Sequence, residues 1–278
     1  MSGRILKHGA GPLAVVALAA GVLGAAAHPR AAQPPTPGGR GRGGFGPPPT
    51  GRQGAPVDLT GVWVSIVTED WQWRMRTPPK GDFTAVPLNG AGMAAANAWD
   101  LSQDGRCEAY GVGGIMRMPG RVRIGWQDDS TLKIETDAGQ QTRLLHFPGA
   151  GPAAAVNVGS RTLQGYSVAE WQRSLGFDAF GFGLTPERGS APQRWGSLKV
   201  VTTNMLPGWL RRNGVPYSDK ATITEYYARF THPEAGDWFI VTTIVDDPTY
   251  LQGNFITSSN FKKESNDSKW DPKPCRAS

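Results

Sequence analysis

The chain has 278 residues, with 29 Lys and Arg against 23 Asp and Glu, ten tryptophans and two cysteines, for a formal net charge of +6. The excess charge belongs to the N-terminal segment: Arg4, Lys7, Arg30, Arg40, Arg42 and Arg52 precede residue 58, and every acidic residue lies from Asp58 onward. Residues 58–278 are therefore neutral overall, which leaves nucleic-acid binding without electrostatic support.

Residues 1–27 carry the marks of a secretory signal. Arg4, Lys7 and His8 make a basic start, residues 13–23 are apolar but short for a bilayer span, and Ala25, Ala26 and Ala27 offer a small-residue cleavage site. An uncleaved anchor is the alternative; cleavage implies a periplasmic or secreted protein without stable membrane insertion. Residues 28–57 are dominated by Pro, Gly and Arg. Such a segment cannot bury enough apolar area to offset its ordering entropy, so a disordered tether is expected. Its arginines could instead contact an anionic surface.

Residues 58–278 suffice for one domain and show no repeat at a fixed period. The stretch LTGVWVSIVTEDWQWRM, residues 59–75, opens it with three tryptophans. Trp71 and Trp73 are two apart, hence on one face if the strand runs that far, with Arg74 and Arg76 opposite. Paired indoles there would either stack on a planar ligand or roof the core near Trp99. GAGMAAANAW, residues 90–99, has the Ala content of a helix. Cys107 and Cys275 predict one disulfide in an oxidising compartment, with free thiols or an intermolecular bridge as alternatives.

The clearest pattern is a meander, RVRIGWQDDSTLKIETDAGQQTRLLHF. Alternation is broken at QDDS and AGQ, giving three antiparallel strands near 121–126, 131–137 and 141–147. One face carries Val122, Ile124 and Trp126, then Leu132, Ile134 and Thr136, then Thr142, Leu144 and His146. The other carries Arg121, Arg123, Lys133, Glu135, Asp137 and Arg143, with Leu145 and Phe147 as exceptions. Solvating the charged set turns the first set inward, with Trp126, Thr136 and Thr142 as candidate ligand contacts. His146 then becomes an inward acid–base candidate, or a core histidine satisfied by backbone, Thr136 or Thr142.

Further along, SVAEWQRS has Ser167 followed three residues later by Glu170, a capping-box spacing that predicts a short helix. GAGPAAAVNVGS and GFDAFGFGLTPERGSAPQ read as long loops. SLKVVTTNM, ATITEYYARF, DWFIVTTIVDDP and ITSSNFKKE read as strands. Asn204 shares a face with Leu198 and Val200, so it could donate to an oxyanion or simply start a turn. Glu225 inside the barrel with Tyr227, itself a candidate ligand contact, would be a half-buried acid, one whose neutral form burial favours; facing out, it is a surface charge. Asp246 and Asp247 before Pro248 read as a turn and not as a calcium loop. His146 and His232 do not cluster with the cysteines, which argues against a zinc site, and no nucleotide-binding motif is present. No cofactor is expected.

Many short strands with few helices argue for an antiparallel barrel or sandwich. Gly61-Val62-Trp63 resembles the Gly-x-Trp that lipocalins and other calycins carry at the head of the first strand. In that family the Trp packs across one end of the barrel against a basic residue from near the last strand, a place that Lys262 or Lys263 would fill. DLTGVW, IMRMPGRVRIGWQDDSTLKIETDAG, GSLKVVTTNM and ITEYYARF resemble a group of secreted bacterial lipocalin-like proteins. The resemblance implies a fold and a compartment and no activity. The insertion between residues 148 and 196 is longer than a plain eight-stranded lipocalin needs.

The expected fold is mainly β, an antiparallel lipocalin-like β-barrel with one or two short helices. The expected function is binding of a small apolar or aromatic molecule in the barrel cavity. One alternative is a metal- and nucleotide-independent isomerase, lyase or hydrolase, using His146 with Glu225 and with Asn204 as a donor. Another is a cell-envelope scaffold with a filled interior.

Overall fold

The computed structural model describes residues 49–100, 107–149, 159–173 and 196–275. The signal 1–27, the linker to residue 48 and most of the two long loops lie outside the described residues. The strands, in chain order, are β1 (Gly61–Ile66), β2 (Arg121–Asp128), β3 (Thr131–Thr136), β4 (Ala138–Gly139), β5 (Thr142–His146), β6 (Tyr166–Arg173), β7 (Gly196–Thr203), β8 (Gly208–Arg211), β9 (Val215–Tyr217), β10 (Thr222–His232), β11 (Gly236–Asp246), β12 (Phe255–Lys263) and β13 (Lys273–Pro274). Two helices, α1 (Trp71–Arg74) and α2 (Gly90–Ala98), accompany them.

Nine of these strands close into a barrel in the order β1-β12-β11-β10-β7-β6-β5-β3-β2, with β2 returning to β1. This architecture is compatible with a lipocalin-like barrel. The expectation of a wholly antiparallel sheet needs correction, because β5 and β6 run parallel, with Leu145 opposite Ser167 and His146 opposite Val168. A parallel pair requires a crossover, and the chain between residues 146 and 166 supplies it.

β6 also corrects the helix expected at SVAEWQRS. Ser167 and Ala169 are buried while Val168 and Glu170 are exposed, a period of two. The Ser167 hydroxyl meets the Thr202 hydroxyl at 2.8 Å inside the barrel instead of capping a helix. Tertiary pairing with β7 thus overrides the local capping pattern. The meander and the three C-terminal strands form where alternation places them, β10–β11 and β11–β12 as long antiparallel pairs.

Trp63 is fully buried, and its indole N–H donates to the Leu59 carbonyl at 2.9 Å. It stands opposite Lys263 in the β1–β12 register, and the Lys263 ammonium lies 5.3 Å from the indole centroid. Lys262 points instead over Trp238 at 5.5 Å. Gly61 explains the rest of the Gly-x-Trp pattern: its φ of +125° is a conformation open to glycine, and an added Cβ would stand 2.9 Å from Lys263 Cε. Gly61→Ala is expected to cost about 1–3 kcal/mol from backbone strain. A denaturant midpoint equal to that of the unmutated protein would show that the strain is absent.

The two barrel ends are closed differently. At one end, Trp126, Phe147 and Trp171 form an aromatic row, with centroids 5.4 Å and 5.5 Å apart. Residues 49–57, the end of the Pro/Gly/Arg-rich segment, pack over it: the Trp171 indole donates to the Gly51 carbonyl at 2.6 Å, and the Arg52 amide donates to the Asp129 carbonyl at 2.9 Å. At the other end, α1, α2 and the β8–β9 hairpin cap the barrel over a second apolar cluster that includes Leu88, Ala96, Leu210, Tyr217 and Phe255. Asn89 caps α2 by accepting from the Gly92 amide at 2.9 Å.

Candidate functional site

The barrel interior is filled by large side chains, among them Trp63, Tyr227, Phe239 and Phe261. Arg143 and Glu225 stand there as well, both side chains 0% exposed. Arg143 Nη1 and Nη2 donate to Glu225 Oε1 and Oε2 at 3.0 Å and 2.5 Å. The Tyr227 hydroxyl donates to Oε1 at 3.3 Å and accepts from Nη1 at 3.3 Å. Burial works against the Arg143 charge, but Glu225 and Tyr227 more than offset it and hold its pKa above the ordinary arginine value. Burial and then the Glu225 charge push the Tyr227 phenol far above the ordinary tyrosine range. Glu225 thus faces inward beside Tyr227, fully buried where a half-buried acid is expected, and its oxygens are committed to a guanidinium and a phenol.

This pair reverses the face assignment of β5. Arg143 and Leu145 point inward opposite Ile134 and Leu132, while Thr142 is exposed and Leu144 and His146 are half-buried outside. His146 stacks on Tyr166 at 5.0 Å, on the far side of the strand from Glu225. Treating every charge as solvated fails at Arg143 because its counterion lies across the barrel. Leu145 and Phe147, exceptions under that assignment, are the residues that report the true face. Asn204 falls beyond the end of β7, with φ of +54°, and donates to the Gly159 carbonyl at 3.4 Å. The three candidate catalytic residues therefore stand in three separate places.

The candidate ligand contacts are also dispersed. Trp71 and Trp73 lie in α1, where two residues turn the chain by about 200° instead of keeping one face. Trp71 is 59% exposed, whereas the Trp73 indole donates to Asp82 at 2.9 Å and lies under Arg211. Trp126 belongs to the strapped end. The Thr136 hydroxyl donates to the Ala138 carbonyl at 2.8 Å in the turn after β3. Tyr227 belongs to the buried network. Asp247 forms the turn expected of it: it is buried and accepts from the Ser218 amide and hydroxyl at 2.7 Å each and from the Thr249 amide at 2.9 Å. No group of three or more His, Cys, Asp or Glu able to hold a metal occurs among the described residues. Cys107 and Cys275 are bonded to each other.

An aromatic recess lies at the capped end, outside the barrel. A cleft of about 500 Å³ is walled by Trp99, Leu163, Leu206, Trp209, Tyr217 and Tyr250. Trp99 and Trp209 meet edge to face, with centroids 6.0 Å apart and planes at 89°. The Trp99 indole N–H is buried and has no hydrogen-bond partner among the described residues. Burial pushes the Tyr217 phenol above the ordinary tyrosine range. Trp99 follows α2, Trp209 lies in β8 and Tyr217 in β9, so three separate elements build the cleft. A second cleft, also about 500 Å³, lies beneath the strap and is lined by residues including Arg52, Pro56, Asp58, Trp126 and Trp171. Its lining is the more polar of the two.

The residues of the Trp99 cleft leave no local trace in the sequence. Trp99 and Trp209 are more than a hundred positions apart, and no periodicity joins them. The Pro-Gly-Trp run at 207–209 marks a turn and no site. No family model, curated protein or solved structure matches the chain.

Proposed function

We propose that the chain is an exported lipocalin-like protein, periplasmic or secreted, that binds a small apolar or aromatic molecule. The site is the cleft between Trp99 and Trp209, and not the barrel interior, which the Arg143–Glu225 network and its aromatic neighbours occupy. The observation that carries this is the cleft itself: a volume within the range of small-molecule sites, walled by two perpendicular indoles. A planar ligand would stack on one indole and meet the edge of the other. Export is supported by the basic, apolar and small-residue order of residues 1–27 and by the Cys107–Cys275 disulfide. Acid–base catalysis has less support, since His146, Glu225 and Asn204 do not surround one pocket.

A neutral fluorescent naphthylamine should bind, and Trp99→Ala or Trp209→Ala should each weaken it at least about tenfold, the effect of a lost aromatic anchor. Trp171→Ala, at the opposite end, should leave the affinity unchanged. Affinity lost in Trp171→Ala and kept in the other two would move the site to the strapped cleft. Probe binding unaffected by all three substitutions would remove the proposal.

A further inference from the structure

Four arginines gather at the capped end of the barrel. Arg74 is paired with Glu69, and its guanidinium also donates to the Arg117 carbonyl at 2.9 Å and to the Ser65 hydroxyl at 3.1 Å. Arg117 is paired with Asp70 at 3.0 Å, and Arg212 donates to the Arg74 carbonyl at 2.9 Å. Arg211 is the exception. It is 4% exposed, and among the described residues no carboxylate forms an ion pair with it. Its guanidinium lies 4.3 Å from the Trp73 ring centroid and 5.9 Å from that of Phe255, and its Nε and Nη1 have no hydrogen-bond acceptor among the described residues. Arg117, 6% exposed, lies 5.8 Å from the same Phe255 ring and leaves its own Nη1 unpartnered. Burial, with repulsion from Arg117, pushes the Arg211 pKa down to about 10 against the opposing pull of Asp70 and Asp82.

The four arginines thus share three carboxylates, Glu69, Asp70 and Asp82; Asp70 and Asp82 act on Arg211 without reaching ion-pair distance, so one positive charge is in excess and Arg211 is the buried arginine without a contact ion pair among the described residues. A buried charge without a counterion in direct contact is unfavourable, and aromatic faces and more distant carboxylates offset it only in part. Beside it lies a recess of about 10 Å³, bordered by Trp73, Arg74, Arg117, Leu210, Arg211 and Arg212. That is room for one water-sized particle and too little for a phosphate or a carboxylate-bearing molecule. A water there would supply an acceptor but no charge. We propose that this recess is a binding site for a single halide-sized anion, chloride under ordinary conditions, held by Arg211 and Arg117. The anion would neutralise the surplus cation, and small rotations of the two guanidiniums would turn their free N–H groups onto it. Because Arg211 is in β8 and Arg74 in α1, the anion would fasten both cap elements to the barrel.

Thermal unfolding of the full chain should be followed in chloride, bromide, gluconate and sulfate at matched ionic strength. Chloride and bromide should raise Tm saturably, by about 5 °C at a hundredfold excess over the dissociation constant, and gluconate and sulfate should not. Arg211→Met removes the surplus cation and should abolish the halide dependence. Crystals grown in bromide should show an anomalous peak between the Arg117 and Arg211 guanidiniums, which decides the matter even if the variant does not fold. Equal responses to all four salts, stabilisation by sulfate alone, or a bromide-soaked recess without a peak would each overturn the proposal.

Discussion

Arg143→Met should lower the unfolding free energy by about 3–5 kcal/mol, the range for breaking one side of a fully buried ion pair. The reason is the partner left behind. Glu225 is 0% exposed, and its remaining polar neighbour in the network is the Tyr227 hydroxyl. An ionised carboxylate there has no counterion, and taking it out of water is the dominant cost. Glu225→Gln should be harmful for the mirror reason, stranding a guanidinium whose Nε already lacks a partner. The double variant Arg143→Met/Glu225→Leu should recover most of the loss, because apolar side chains of similar volume fill the same space without a desolvation cost. A denaturant double-mutant cycle measures this. Additive losses, with a coupling below about 0.5 kcal/mol, would mean that the two groups act independently despite their geometry.

The same pair bears on function. A charged network in the middle of the barrel makes the interior a poor receptacle for an apolar molecule, since a ligand would have to displace or strip hydrogen bonds that cannot be remade elsewhere. The proposed binding is thereby left to the barrel ends. There, Trp99 and Trp209 at the cap, and Trp126 and Trp171 beneath the strap, line recesses without disturbing the network. The cap is also where the chain departs from a minimal barrel: α1, α2 and the β8–β9 hairpin are additions that build walls and do not close the sheet.

How far the sequence reveals this depends on the range of the interactions. Strands β2, β3, β10, β11 and β12 are legible because each alternates, one face against the core and the other against water. Gly61 and Trp63 are legible because a special φ and a buried indole leave a three-residue mark. Where long-range partners decide, the pattern misleads. Arg143 resembles a surface charge until Glu225 is placed opposite it, 82 positions later. Ser167 and Glu170 resemble a capping box until β7 pairs with that segment. Trp71 and Trp73 share a face only in a strand, and the four-residue helix α1 separates them. The cleft of Trp99 and Trp209 and the surplus charge on Arg211 arise wholly from tertiary packing, so no local window contains them.

Replacing both cysteines, Cys107→Ser/Cys275→Ser, should cost about 5 kcal/mol by the loop-entropy argument, since the crosslink spans 168 positions. Its structural effect should be concentrated at two places. The tail is held along β4 by β13, a two-residue exposed strand that aligns Lys273 with Ala138 and Pro274 with Gly139. A ladder that short does not persist alone. Arg121–Glu264 and the Arg123–Trp270 contact, centroid distance 4.5 Å, would still hold the chain nearer the barrel. Hydrogen exchange should therefore accelerate beyond about residue 270 and leave β12 protected. The second place is the cleft, because Cys107 precedes the turn Glu108–Tyr110, and Glu108 stands in the cleft wall beside Tyr217. Losing the crosslink should loosen that wall and weaken binding of the naphthylamine probe along with stability. If reduction frees the tail amides while the denaturant midpoint moves by less than about 1 kcal/mol, the unfolded chain must already be constrained without the bond, and the entropic account of this disulfide fails. If stability falls but probe affinity does not, the disulfide stabilises the fold without shaping the cleft.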